Sequence, residues 1–161
     1  MISIEFVSES MKSPRESELA RLERASEMDL RYDYFFTDVS ISMPGLGKEA
    51  FPKTPALDFA FSLLFAVKEV RQGDPGSISF TENDLLIHCI PDGLDLVVQR
   101  SWDPEAGSCG VQEIIAEAVR FSREILGFIV QKYPTFRNNS THEKLMTMIA
   151  EFDCPGDEVL I

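Results

Sequence analysis

From Leu57 to Val70 the chain places apolar side chains almost all the way around a helix axis: Leu57, Phe59, Ala60, Phe61, Leu63, Leu64, Phe65, Ala66 and Val67. A helix without a polar face has to be surrounded. The longest apolar run, Ala60 to Val67, is broken by Ser62 and is far too short for a bilayer, so the surroundings must come from the rest of the chain. Thr54 is placed as its N-cap, Pro55 as its first residue and Asp58 near the positive end of the helix dipole. Gly73 and the Asp74-Pro75-Gly76 turn stop it.

What can enclose this helix follows from the hydrophobic periods on either side. Ile2, Ile4 and Phe6 alternate as a first strand, and the charge-dense Ser8 to Glu27 suits a solvated helix around Glu16 to Met28 or a loose connection. Leu30 to Met43 reads as strand, with parity switching near Thr37-Asp38, where a β-bulge or turn would change the buried face. Pro44 to Lys53, with two Gly and two Pro, reads as loop. Three short strands follow at 77–81, 84–90 and 94–100, the last two joined through Pro91-Asp92-Gly93, and 103–110 reads as loop. Val111 to Tyr133 carries the stripe Ile114, Ala118, Phe121, Ile125, Phe128 of a long amphipathic helix. Pro134 ends it, and a Ser140–Glu143 capping box starts a short last helix. The order predicts an α+β fold: a single antiparallel sheet with two long helices packed on one face and a short C-terminal helix. Residues 1–152 form one domain in this reading, and 153–161 a flexible tail.

Inventory argues against an enzyme. Of the two histidines, His88 lies mid-strand beside Cys89, and strand neighbours point to opposite faces; His142 opens the last helix. Zinc needs three or four Cys/His ligands with close-spaced pairs, a calcium loop needs alternating Asp/Asn before glycine, and a phosphate loop needs a strand–glycine-loop–helix setting. No such pattern is present, so no metal and no cofactor is expected. Asp33 and Asp38, flanking Tyr34-Phe35-Phe36, are candidate acid–base groups, and more commonly such residues form turns. Three unpaired cysteines, Cys89, Cys109 and Cys154, and the absence of a signal-peptide pattern in Met1–Val7 point to the cytoplasm.

Charge is where the chain departs from the ordinary. Half of its net −12 lies between Asp74 and Gly110, where seven carboxylates face only Arg100. With a pI near 4.5, nucleic acid and anionic membrane are poor partners, whereas a basic protein is a good one. Asp84, Asp92, Asp95, Trp102, Asp103 and Glu105 are the candidate contact residues, the tryptophan as an anchor among acids for Lys or Arg. Acidity can also serve solubility alone, and Trp102 can equally cap the end of the sheet.

Tyr32-Asp33-Tyr34-Phe35-Phe36-Thr37-Asp38-Val39, then Leu57-Asp58-Phe59-Ala60, then Phe80-Thr81-Glu82-Asn83-Asp84 resemble in type and order a pattern in small uncharacterised bacterial proteins. The likeness covers roughly residues 30 to 135, and some of those proteins resemble immunity proteins of bacterial toxin systems. It implies a small acidic cytoplasmic inhibitor that blocks a toxin by contact. The first reading is therefore a non-enzymatic, immunity-type binding protein that contacts a basic, toxin-like protein through an acidic β-meander. The alternative is an acidic secretion-type chaperone that holds a client polypeptide as a homodimer; the oligomeric state itself is open.

Overall fold

The computed structural model describes residues 1–81 and 83–153. In chain order the elements are β1 (Ser3–Val7), α1 (Glu16–Leu19), α2 (Glu27–Asp33), β2 (Phe36–Met43), β3 (Gly47–Pro55) and α3 (Ala56–Arg71). They continue with β4 (Gly76–Ser79), β5 (Leu86–Asp92), β6 (Asp95–Arg100), β7 (Ala106–Gly110), α4 (Val111–Lys132) and α5 (Ser140–Ala150). The class is α+β as expected, but the strands form two antiparallel sheets instead of one: β1-β2-β3 and β4-β5-β6-β7. The chain leaves the first sheet through α3 and returns to build a separate meander. The two sheets touch through a Ser108 N–H to Pro44 carbonyl bond of 3.4 Å and through side chains. Among the latter, Arg100 Nη1 lies 2.6 Å from Glu49 Oε1, and Phe51 stacks on Phe80 with centroids 4.4 Å apart.

α3 is enclosed as its composition demands. Leu57, Phe59, Phe61, Leu63, Leu64, Val67 and Val70 are all at most 2 % exposed. Each such side chain contributes about 1.5–3 kcal/mol of transfer free energy. Both sheets turn their apolar faces to the α3–α4 pair: Phe6 of β1 meets Phe121 of α4 edge-on, and Phe59 of α3 stacks on Phe80 beside β4. Gly76 allows the second sheet its close approach, because a Cβ there would lie 2.4 Å from the Ala66 carbonyl oxygen. The helix begins one residue later than expected: Pro55 is the N-cap, and Thr54 is a buried residue whose hydroxyl donates to the Phe51 carbonyl.

Three segments differ from the sequence reading for identifiable reasons. Leu30–Asp33 is helical, since Ser26 caps α2 by accepting the Asp29 N–H; the chain then reverses at Phe35, whose φ is 55°. Pro44–Lys53 contains most of β3, because Pro52 sits at a bulge of an edge strand, where no ladder needs its missing N–H. Ala106–Gly110 is β7, whose small residues give little strand signal. The expected parity switch near Thr37-Asp38 is present as a register shift between Thr37 and Val39, and Asp38 Oδ1 accepts the Lys53 N–H across it at 3.0 Å.

β1 is an edge strand, and α4 closes its edge. Glu117 Oε2 accepts the Ile4 N–H at 2.7 Å, and the Arg120 guanidinium donates to the Ile4 carbonyl. At the other end of the molecule Asn139, 2 % exposed, holds α5 in place. Its side-chain oxygen accepts the Thr141 N–H, and its amide donates to the carbonyls of Leu22 and Ala25. The N-cap of α5 is thus Asn139, one residue before the expected Ser140. Of the expected 153–161 tail, Asp153 closes a short turn against Arg123, and the remainder lies outside the described residues. Among the described residues no helix is long and apolar enough to cross a membrane.

Replacing Asn139 by Ala strands the buried Leu22 carbonyl, the half-buried Ala25 carbonyl and a helix N–H, and is expected to lower unfolding free energy by about 2–4 kcal/mol in urea titration. Glu117 gives a pH test. Burial works to raise its carboxyl, but Arg120 and the Ile4 N–H overcome it and hold the group below its ordinary 4.5. A lowered carboxyl stabilises the fold above 4.5, and that contribution is lost as pH falls through the folded value. Glu117→Gln is expected to flatten this part of the acid stability profile, measured by melting temperature against pH.

Candidate functional site

The second sheet has two unlike faces, because its register alternates side chains cleanly. Ile78, Ile87, Cys89, Leu96 and Val98 point to the core and are at most 5 % exposed. The outer face is built of cross-strand neighbours: Asp92 opposite Asp95, Ile90 opposite Val97, and His88 opposite Gln99. Ser77 and Ser79 of β4, and Ala106 and Ser108 of β7, extend it on either side. Every one of these is exposed or half-buried, so no described element covers the face. Between the strand ends it bears no charged residue.

The six candidate residues fall at two ends of this face. Asp92 and Asp95 flank the two-residue hairpin Gly93-Leu94, where Gly93 adopts φ 66°. Leu94, expected as a strand residue, is the apex of that hairpin and 88 % exposed. Asp84, Trp102, Asp103 and Glu105 lie in the two loops at the other end, roughly 20 Å away along β5 at about 3.3 Å per residue. No single acidic patch unites them.

At that second end the residues serve different purposes. Trp102 is half-buried, edge-on to Phe51 with centroids 6.1 Å apart, and the Arg100 guanidinium lies 5.9 Å from its ring. It is a cap on the junction between the sheets. Asp103 pairs with Arg100 at 3.2 Å and accepts the Glu105 N–H at 2.8 Å. The one cation of the acidic stretch is therefore turned inward, between Glu49 and Asp103, and adds nothing to the outer face. Its Nε has no hydrogen-bond partner, and Arg100 is one of the residues around an apolar cavity of about 30 Å³ between the sheets, room for a water. Asp84, Asp92, Asp95 and Glu105 are exposed and form no ion pair among the described residues.

The groups considered for catalysis have structural surroundings. Asp38 is bound to the β3 bulge, and Asp33 is exposed at the end of α2. Burial pushes the Cys89 thiol up to about 12 and Cys109 up to about 11, so both stay protonated and unreactive near neutrality. His142 lies edge-on to Phe136; burial, then the charge of Arg137, lowers its pKa. His88 Nδ1 lies 3.1 Å from Ser77 Oγ on the outer face. Among the described residues no three His, Cys, Asp or Glu gather to hold a metal ion.

One polar cluster was not singled out from sequence. Asp58, 7 % exposed at the start of α3, bonds Arg31 Nε at 2.7 Å through Oδ1 and accepts the Thr81 hydroxyl through Oδ2. The signal was available: a carboxylate within an otherwise enclosed helix needs a buried partner, not only a helix dipole. No family model, no curated protein and no solved structure matches the chain.

Two substitutions separate the ends of the face. Asp95→Thr relieves two carboxylates directly opposite each other and is expected to raise stability by a few tenths of a kcal/mol, about 0.2–0.5. Trp102→Ala removes a packed ring and is expected to cost about 2–4 kcal/mol. Both are read from chemical denaturation midpoints.

Proposed function

We propose that this chain is a non-enzymatic, immunity-type binding protein that seats a basic protein on the open face of its second sheet. The observation that carries the reading is the arrangement of that face. Its strand bodies are uncharged and leave Ile90 and Val97 accessible, and unpaired carboxylates stand at both ends. Apolar contacts near the centre supply affinity, and the flanking acids accelerate encounter and fix orientation. Asp92 and Asp95, facing each other without a cation between them, gain most from a partner's Lys or Arg. Leu94 at the hairpin apex offers a projecting apolar contact beside that pair. Asp84 and Glu105 do the same work at the far end, with Asp103 half-engaged by Arg100. Trp102 contributes by holding the loop.

The test is affinity capture from the native host at low and moderate salt, using the wild type and two outward-facing variants in parallel. These are Asp92→Lys with Asp95→Lys, and Ile90→Asp with Val97→Asp. A single stoichiometric basic protein is expected on the wild type, weakened by salt, and lost with each double variant that keeps its fold by circular dichroism. Equal retention of that protein by both variants sinks the reading. So does a self-associating chain whose copies bury Ile90 and Val97 against each other in sedimentation, which is the outcome the homodimeric chaperone requires.

A further inference from the structure

Beside the outer edge of β4, where α3 comes closest to the surface, lies a pocket of about 350 Å³ unlike the rest of the molecule. Its floor is the Asp58–Arg31 pair. Its wall is a row of hydroxyls: Ser62 and Ser79, whose Oγ atoms are 3.3 Å apart, then Ser77 and Thr81. Its rim holds Phe65, which is 48 % exposed and stacked on Phe61 at 6.0 Å.

The chemistry of these groups narrows the ligand. The Arg31 charge is already matched by Asp58 and by Glu27 at 3.2 Å, and the chain carries −12, so an anion finds no net attraction. A cation would face the Arg31 guanidinium, and both Asp58 oxygens are already engaged. An apolar ligand would strand the hydroxyls. What remains is a neutral ligand that both donates and accepts hydrogen bonds. Ser62 Oγ accepts the Ser79 N–H at 2.8 Å, and the Ser62 and Ser79 hydroxyls share one hydrogen bond, which leaves the proton of one of them to place; Thr81 Oγ1 keeps its lone pairs, and Arg31 has guanidinium N–H groups beyond those bonded to the two carboxylates. The exposed ring of Phe65 supplies a flat apolar surface at the mouth.

We propose that the pocket formed by Arg31, Asp58, Ser62, Phe65, Ser79 and Thr81 is a carbohydrate site that takes a single neutral sugar ring, its hydroxyls on the serine row and its C–H face on Phe65. The volume lies at the small end of the roughly 300–1,000 Å³ typical of ligand pockets, which suits one ring. A site that exchanges hydrogen bonds with ligand hydroxyls discriminates strongly against analogues lacking them. Binding is expected to be weak, with a millimolar dissociation constant, because the pocket is open on one side and the ligand small.

The experiment is an amide chemical-shift titration of the full chain with glucose, galactose, mannose and N-acetylglucosamine in turn, with no protein partner present. A failure of the basic-partner reading therefore leaves its result untouched. The expected result is saturable shifts with at least one sugar, centred on Ser62, Phe65, Ser77 and Ser79. Phe65→Ala, at a surface position that leaves the Asp58 bonds intact, is expected to weaken that sugar about 3- to 10-fold. The assignment is overturned if no sugar produces saturable shifts, if Phe65→Ala binds as well as the wild type, or if arginine amide or inorganic phosphate moves these amides and the sugars do not.

Discussion

Everything in this molecule is arranged around a helix that cannot face water. α3 buries every residue from Ala56 to Leu64 and exposes only Phe65, Lys68 and Glu69 beyond them, so it has to be roofed by α4, flanked by α2 and α5, and floored by strands. No one layer can do that, since a sheet packs against one side of a helix only. The chain answers with two sheets, one laid down before the helix and one after it. The apolar faces of both are spent on the same core. That leaves the outer face of the second sheet without a covering layer, and between the strand ends its residues are correspondingly small or neutral.

The polar interactions follow from the same enclosure. Wherever an element must end or an edge must close near the core, a side chain supplies the missing partner. Glu117 and Arg120 close β1, Asn139 joins the chain near Leu22 to α5, and Arg31 meets Asp58 at the start of α3. Arg100, at the end of β6, joins Glu49 of the first sheet to Asp103 in the loop that follows it. Apart from Arg100 with Asp103, these are long-range contacts, and removing one partner costs far more than the net worth of the bond. The acids of the outer face differ in kind. Asp84, Asp92, Asp95 and Glu105 lie at or beside strand ends in water, form no ion pair among the described residues, and are therefore open to a role outside the fold.

A close-fitting cap and an exposed anchor call for the same residue types, and this explains how the candidate surface divides. Trp102 and Asp103 read as contact residues because an aromatic among acids is what a basic partner would want. In the fold, Arg100 arrives from within the chain and takes up both. Asp92 and Asp95 pair with no cation among the described residues, and the hairpin register sets them face to face. Asp58 shows the converse. It looked like a dipole acid in sequence, and the tertiary fold gives it Arg31, 27 residues away, and a hydroxyl-lined pocket beside it.

Local chemistry in the sequence by itself determined that α3 lies at the centre, where α4 begins and ends, that the strand pattern changes face near Thr37-Asp38, and that the charge of the meander is negative. Each of these rests on periodicity, on turn residues or on simple count, all properties of neighbouring residues. β3 and β7 escaped notice because Gly, Pro, Ala and Ser give a strand almost no side-chain signal; their hydrogen-bonding partners, not their composition, make them strands. The split into two sheets, the inward turn of Arg100, the pairing of Asp92 with Asp95 and the gathering of Ser62, Ser79 and Thr81 around Asp58 were decided only by the tertiary structure. Each depends on which distant segments come together, and pairing between segments far apart in the chain is set by the shape of the shared core.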